Sequence, residues 1–351
     1  MLHQSAALPG GTYDILIESG LLFRAGQVFT DILPRAERIL LVTDENVAPL
    51  YAQTVLDSLS AAGYSVKTVV LPAGEGAKSP ETVNTLHAEM FDFGIGKNDA
   101  AAVLGGGVLF DTVGVAAAMW LGGTALVCIP TTLTAQCDCA VGGSAGLNLP
   151  RGRGLVGTVH CPLCVISDPD CLMSLSARDF AAGMASVIRL SAACDAMLWD
   201  LLWRCGSRAG AMGRIEDIIL ACCRVKTRLC RSPELQGLPE YGQTLSDAIM
   251  TAYRYGHVPY GEALAMGMCR MNTVGQLLGI TPPKVTGAVR EMLLRYRLPV
   301  ETALPQQALA REVLRRQQLT DNCLSLALLE DIGRVHTKQM TCEELLSLCM
   351  E

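Results

Sequence analysis

Two short stretches hold residues whose types and spacing suit a phosphorylated ligand. Gly105-Gly106-Gly107-Val108 follows an all-apolar run and precedes a helical pattern from Asp111 to Leu121. That arrangement lets phosphate oxygens meet bare backbone N–H groups at a helix N-terminus. The turn is not a GxGxxG fingerprint, and a tight packing turn with no ligand would use the same glycines. Asp111, just inside the helix, complements the positive end of its macrodipole whether or not anything binds. Pro130-Thr131-Thr132 closes the next apolar run, and both turns fall at the carboxyl ends of strands, where open α/β sheets bind ligands. Side by side they point to a dinucleotide site. Cysteine offers less chemistry than its count suggests: the fifteen residues are scattered, and Cys128, Cys194 and Cys269 lie inside apolar runs. Cys161-Pro-Leu-Cys164 has no second CxxC to complete a zinc site, so the cysteines read as small core hydrophobes.

The elements that must position these turns follow from hydrophobic patterning. Ile39 to Thr43, Val66 to Leu71, Ala100 to Leu104 and Ala125 to Ile129 are apolar runs of strand length, and Glu45 to Ala61 carries apolar residues at helical spacing. Runs apolar on both faces indicate parallel strands covered by helices on each side. The N-terminal part therefore predicts a doubly wound, Rossmann-like α/β nucleotide-binding domain. From Ser176 onward Leu, Ala, Met and Arg dominate, and Arg214 to Cys230 and Ala263 to Leu278 are periodic segments between breaks at Gly237, Pro259 and Pro282-Pro283. The expected organisation is an α/β domain over 1–170 and an all-α domain over 171–351, packed together with a cleft between them. Cys222-Cys223 to Arg231 reads as a helix with one apolar and one basic face, the pattern of a solvated helix surface.

Composition bounds the remaining possibilities. A chain of 351 residues makes about two domains at roughly 150 residues each. Half of the residues are hydrophobic, 18% are charged and the mean hydropathy is +0.32, which excludes disorder. It also raises the question of a membrane protein. The longest apolar stretch, Ala100 to Leu133, is cut by Gly105 to Gly107, Asp111 and Pro130, short of the roughly 20 uninterrupted residues a bilayer demands. With a net charge of −6 and no basic run longer than Arg315-Arg316, the stripe that nucleic acid requires is missing. Met1-Leu2-His3-Gln4 does not open a secretion signal, and the expected location is the reducing cytoplasm.

Gly105-Gly-Gly-Val-Leu-Phe-Asp111, Ile129-Pro-Thr-Thr-Leu-Thr-Ala-Gln-Cys-Asp138, Val141-Gly-Gly143 to Asn148, Leu155-Val-Gly157, Phe180-Ala-Ala-Gly183 and Gly261-Glu-Ala263 succeed one another along the chain. In that order and spacing the chain resembles the 3-dehydroquinate synthase family of NAD-dependent sugar-phosphate cyclases, from Pro9-Gly-Gly-Thr-Tyr13 to Ile332-Gly333. The resemblance implies an enzyme of aromatic amino acid biosynthesis, by the shikimate route. Such an enzyme uses NAD to oxidise a seven-carbon sugar-acid phosphate, eliminates phosphate, reduces the ketone again and closes a carbocycle. A divalent metal, usually zinc, polarises the hydroxyl being oxidised. A homodimer with a small-molecule substrate is implied as well. Carried over by motif, Asp44 and Asn46 fall on the adenosine side of NAD, and Glu75 and Lys78 fall in a Gly-Glu-x-x-Lys motif. Gly106, Gly107, Asp111, Thr131, Thr132 and Asp138 fall on the pyrophosphate and nicotinamide side. The residues implied at the reaction centre are Lys226, Asp138, Arg189 and Arg153, with arginine at the last two positions where the family has lysine.

The same resemblance places the metal ligands at Ser186, Gln243 and Tyr260, none of which is a zinc-type donor. Asp247 stands where the family has a second histidine, and Gly122 and Ser144 stand where it has an arginine and a lysine; a Lys-Lys pair is absent around Thr320-Asp321-Asn322. Three readings follow. A family enzyme could draw replacement metal ligands from Asp247, His257 and Glu262, although His257 also reads as a solvated residue of the Tyr255-Gly-His-Val-Pro turn. A non-catalytic relative would keep the fold and NAD. A metal-free NAD enzyme would act on an unphosphorylated substrate.

Overall fold

The apolar runs become the middle of a sheet. The structure is a computed structural model that describes residues 1–8, 11–150, 152–232, 240–254, 258–315 and 323–350. The chain divides into unit 1, Met1–Ser176, and unit 2, Ala177–Glu351. Unit 1 runs β1 (Leu2–Leu8), β2 (Gly11–Ile17), α1 (Ala25–Ile32), β3 (Arg38–Asp44), α2 (Gln53–Ala61), β4 (Ser65–Leu71), α3 (Pro80–Phe93), β5 (Ala100–Gly105), α4 (Gly107–Met119), β6 (Ala125–Pro130), β7 (Ser144–Leu149), β8 (Gly152–Val159) and β9 (Cys164–Ser167). Seven strands pair in the order β1-β2-β9-β6-β5-β3-β4, parallel except for the antiparallel β1–β2 pair, while β7 and β8 form a separate hairpin.

Every residue of β5 is buried, and its alanines let helices approach closely from both faces. Phe29, Ile39, Leu41, Leu59, Leu104 and Ile166 belong to one core cluster on the sheet, and Cys164 and Cys171 pack in it as apolar residues. Burial pushes the Cys171 thiol far up and the Cys164 thiol up to about 12. The helix expected from Glu45 starts later: a wider turn over Ala48–Ala52, with Pro49 in it, precedes α2. Helix α3 is bounded by local chemistry, with the Ser79 hydroxyl accepting the Thr82 N–H, Pro80 in the first turn and Gly94 in the left-handed conformation at its end. After β4 the chain returns across β3 to form β5, so the direction of winding reverses between β3 and β5. That reversal opens a crevice at their carboxyl ends.

Unit 2 contains α5 (Ala177–Cys194), α6 (Ala196–Cys205), α7 (Arg208–Met212), α8 (Ile215–Arg231), α9 (Gln243–Ala252), α10 (Tyr260–Leu277), α11 (Pro283–Arg295), α12 (Gln306–Arg315), β10 (Cys323–Asp331), β11 (Arg334–Thr341) and α13 (Cys342–Met350). It is largely helical, but the all-α expectation for this half is corrected by the β10–β11 hairpin. Leu324 and Leu326 are buried while Ser325 between them is exposed, and Gly333 turns the chain with φ 79°. Leucine-rich composition concealed that period-two alternation. Among the described residues no helix is long and apolar enough to cross a membrane.

The long helices of unit 2 meet at glycines. A Cβ on Gly261 would stand 1.9 Å from the Ala182 carbonyl oxygen of α5, and one on Gly267 would stand 2.4 Å from the Gly242 carbonyl oxygen just before α9. Any side chain there would force the helix backbones apart.

Candidate functional site

In unit 1 the predicted turns converge at the crevice. Asp44 ends β3, and its Oδ1 accepts the N–H groups of Asn46 and Val47 at 2.9 and 3.0 Å, an Asx turn that fixes the carboxylate at the strand end. The Thr131 N–H donates to the Gly105 carbonyl at 2.9 Å, joining the two glycine- and threonine-bearing turns. A Cβ on Gly107 would lie 2.8 Å from Cys139 Sγ, and one on Gly105 would lie 2.4 Å from Leu109 Cδ1 and 3.7 Å from Asp44 Oδ2. These glycines are demanded by close packing, and they leave the uncapped N-terminus of α4 bare of side chains. Thr132 Oγ1 accepts the Ala135 N–H at 3.2 Å. Thr131 Oγ1 is buried with no hydrogen-bond partner among the described residues. Such an orphaned hydroxyl at a helix-terminal turn fits a phosphate or ribose oxygen. Asp138 is buried in the turn that follows, Ala135–Cys139.

A second tier of contacts ties this edge to the β7–β8 hairpin. Lys78 is buried and pairs with Asp111, whose Oδ1 also accepts the Gly146 N–H at 3.0 Å. Asn148 Nδ2 donates to Glu75 Oε2 at 2.7 Å, the Asn148 N–H donates to the Lys78 carbonyl at 2.9 Å, and Asn148 Oδ1 accepts the Gly154 N–H at 3.2 Å. Arg153 on β8 stands 3.8 Å from Glu75. Thus the Gly-Glu-x-x-Lys residues are engaged by the hairpin and α4, and Arg153, expected at the reaction centre, faces Glu75. Sequence reasoning missed the part played by Asn148; its only signal was an amide at the end of the Val141 to Asn148 motif. Ser144 is exposed at the start of β7, and Gly122 sits in a left-handed turn with φ 82°.

In unit 2, Ser186 and Arg189 are buried on α5 and Lys226 lies on α8. Burial raises the Cys194 thiol to about 11 while Arg189, Arg228 and Lys226 pull against it, which puts these cations in electrostatic range of one spot. Tyr260 Oη donates to Gln243 Oε1 at 2.7 Å, and Gln243 Nε2 donates to Asp247 Oδ1 at 2.7 Å. Arg178 grips Glu262 with two hydrogen bonds, at 2.5 and 2.9 Å. Ser186 Oγ is buried with no partner among the described residues.

The structure thus brings Gln243 and Tyr260 together, but as partners of each other. Their donor set does not fit zinc, which takes imidazole, thiolate or carboxylate ligands. The replacement set fares no better: Glu262 is committed to Arg178, and His257 lies outside the described residues. Among the described residues no three His, Cys, Asp or Glu side chains are grouped to hold a metal ion.

Comparison with known proteins extends these observations to the whole chain. Residues 68–182 match the 3-dehydroquinate synthase N-terminal family and residues 183–319 match the 3-dehydroquinate synthase C-terminal family. A 3-dehydroquinate synthase of Streptococcus sanguinis is 34% identical over 344 residues, covering 96% of this chain and 97% of the relative. One from Geobacter metallireducens is 36% identical over 329 residues, covering 92% and 91%. Among solved structures, 2-epi-5-epi-valiolone synthase of Streptomyces hygroscopicus subsp. jinggangensis, with NAD+ and Zn2+ bound, superposes with a TM-score of 0.87 at 25% identity, covering 99% of this chain and 98% of that one. A 2-deoxy-scyllo-inosose synthase reaches 0.84 at 20% identity, covering 99% of each chain, a likeness of fold.

Proposed function

This chain belongs to the 3-dehydroquinate synthase family, and from that premise we propose that it binds NAD through unit 1 and has lost the family's phosphate-eliminating cyclisation. The observation that carries the first part is the convergence of Asp44, Gly105 to Gly107, Thr131 and Thr132 at the point where the winding of the sheet reverses. Asp44 would meet the ribose hydroxyls on the adenosine side, with Asn46 beside it. Gly106, Gly107 and the N-terminus of α4 would hold the pyrophosphate. Thr131, Thr132 and Asp138 would line the nicotinamide side. Lys78 and Asp111, held by each other, set the position of α4 against the Glu75 turn, and Asn148 holds the hairpin over it. Bound NAD would supply a hydride acceptor.

The second part rests on the chemistry of unit 2. A hydroxyl is oxidised readily when something stabilises its alkoxide, and the side chains at 186, 243 and 260 are neutral. Removing one electrostatic group from such a transition state costs about 10²–10³ in rate, and Gly122 and Ser144 withdraw two further charges by the family comparison. The reading favoured is a relative that keeps the fold and the nucleotide without the parental turnover, serving as a binding or regulatory subunit. Soluble, cytoplasmic residence and a homodimeric state go with that reading. Isothermal titration with NAD tests the first part: saturable binding weakened by Gly107→Val supports it, and no heat at millimolar NAD sinks it. Incubation with the seven-carbon sugar-acid phosphate and NAD tests the second. Stoichiometric release of inorganic phosphate with a cyclic product would refute the loss of activity.

A further inference from the structure

Gln243 is the first residue of α9 and Tyr260 the first residue of α10, so the 2.7 Å hydrogen bond between their side chains joins two helix N-termini. Neither helix has a side-chain cap, and the partial positive charges of two macrodipoles bear on one spot. A divalent cation brought there would have to overcome that field as well as its own dehydration, which takes anionic ligands. Among the described residues the groups bonded there are a phenol and an amide, and the Ser186 hydroxyl lies one turn beyond Ala182, whose carbonyl packs against Gly261. Asp247 has one carboxylate oxygen bonded by Gln243, and Glu262 faces Arg178.

The same residues do have a mechanical position. Helix α10 touches the start of α9 through Gly267 and Met268: a Cβ on Gly242 would meet the Met268 backbone nitrogen at 2.8 Å. Tyr260, two turns earlier on α10, reaches the next residue of α9, Gln243. Two contacts at different heights fix a crossing that one contact would leave free to swivel.

We infer that this centre is closed to divalent cations and that the Tyr260–Gln243–Asp247 hydrogen-bond chain is a strut bracing α10 against α9. The inference rests on the account of unit 2 given above and is independent of NAD binding. The full-length protein is stripped with EDTA, dialysed against Zn2+ and its metal counted by plasma mass spectrometry, beside Tyr260→Phe, Gln243→Leu and the double variant. Zinc content is expected to be the same in all four, any zinc present being bound elsewhere. The unfolding midpoint of Tyr260→Phe is expected to fall by about 2–4 °C, the effect of one hydrogen bond in a chain of this size, and that of Gln243→Leu, which loses the bonds to both Tyr260 and Asp247, by more. The double variant falls by less than the sum, because both changes break one chain. One zinc per wild-type chain that is lost in either single variant overturns the closure. Unmoved midpoints or a fully additive double variant overturn the strut. Tyr260→Phe removes a single oxygen and carries the test if Gln243→Leu does not fold. A protein that fails to bind NAD overturns the proposed function while leaving these readouts unchanged.

Discussion

Replacing Asp111 by asparagine leaves a buried ammonium without its anion. The Lys78 side chain is 5% exposed, whereas that of Asp111 is 23% exposed and keeps the Gly146 N–H as a donor. The two halves of the pair are therefore unequal. Asp111→Asn strands a charge that water cannot reach and is expected to cost about 3–5 kcal/mol in unit 1. Lys78→Met removes the buried charge and leaves a carboxylate that is partly hydrated and still bonded, for about 1–2 kcal/mol. Combining the two relieves the stranded ammonium, because the asparagine oxygen still accepts from Gly146; the double variant should lie near Lys78→Met alone. Hydrogen exchange of peptides from α4 and β5 reads unit 1 without interference from unit 2. Asp111→Asn should lower protection there by about 100-fold or more, and Lys78→Met by about tenfold. Equal effects of the two single changes, or a double variant worse than Asp111→Asn, would refute the asymmetry of burial on which the reasoning stands.

Gly107→Val should weaken NAD binding by at least about tenfold, since its Cβ would meet Cys139 Sγ at 2.8 Å; titration calorimetry checks this, and Cys139→Ala in the same chain should restore part of the loss. Asn148→Ala removes the side-chain bonds to Glu75 and Gly154, so amide exchange in β7 and β8 should accelerate by about tenfold while unit 2 is unchanged. Burial raises the thiols of Cys194, Cys269 and Cys349 from 9.0 to about 11. Their folded-state pKa values lie above the unfolded ones, so their contribution to stability is complete below pH 9 and fades as pH rises through 11. Urea midpoints measured across that range should decline, and a flat profile would contradict the burial. At pH 8 the exposed Cys323 should react with a disulfide reagent well before those three.

The core of unit 1 was legible because β3, β5 and β6 are apolar on both faces and end in residues that only turns accept. The positions of Gly107 and Thr131 followed from the same logic, since strand ends in a parallel sheet share one edge, whereas Asp44 entered through the family resemblance. The β10–β11 hairpin was hidden because Leu and Ala serve helix and strand alike, and a nine-residue strand offers few turns of either period. Pairings across long sequence separations were invisible for another reason. Asn148 with Glu75, Arg178 with Glu262 and Tyr260 with Gln243 are each set by the fold, and no local spacing announces them. Side-chain identity suggested a poor metal centre; only the geometry revealed that two of the three residues are bonded to each other.

The glycine contacts of α10 carry a consequence for how such a protein can change. Because Gly261 and Gly267 bring backbone against backbone, the separations of α5, α9 and α10 are set by main-chain atoms common to every sequence. The side chains at 186, 243 and 260 hang from that frame, and the Tyr260–Gln243 bond braces the crossing without setting its spacing. Mutation can exchange one set of functional groups for another there and find the same scaffold waiting. The frame behaves like a socket, and reactivity is the part that can be unplugged.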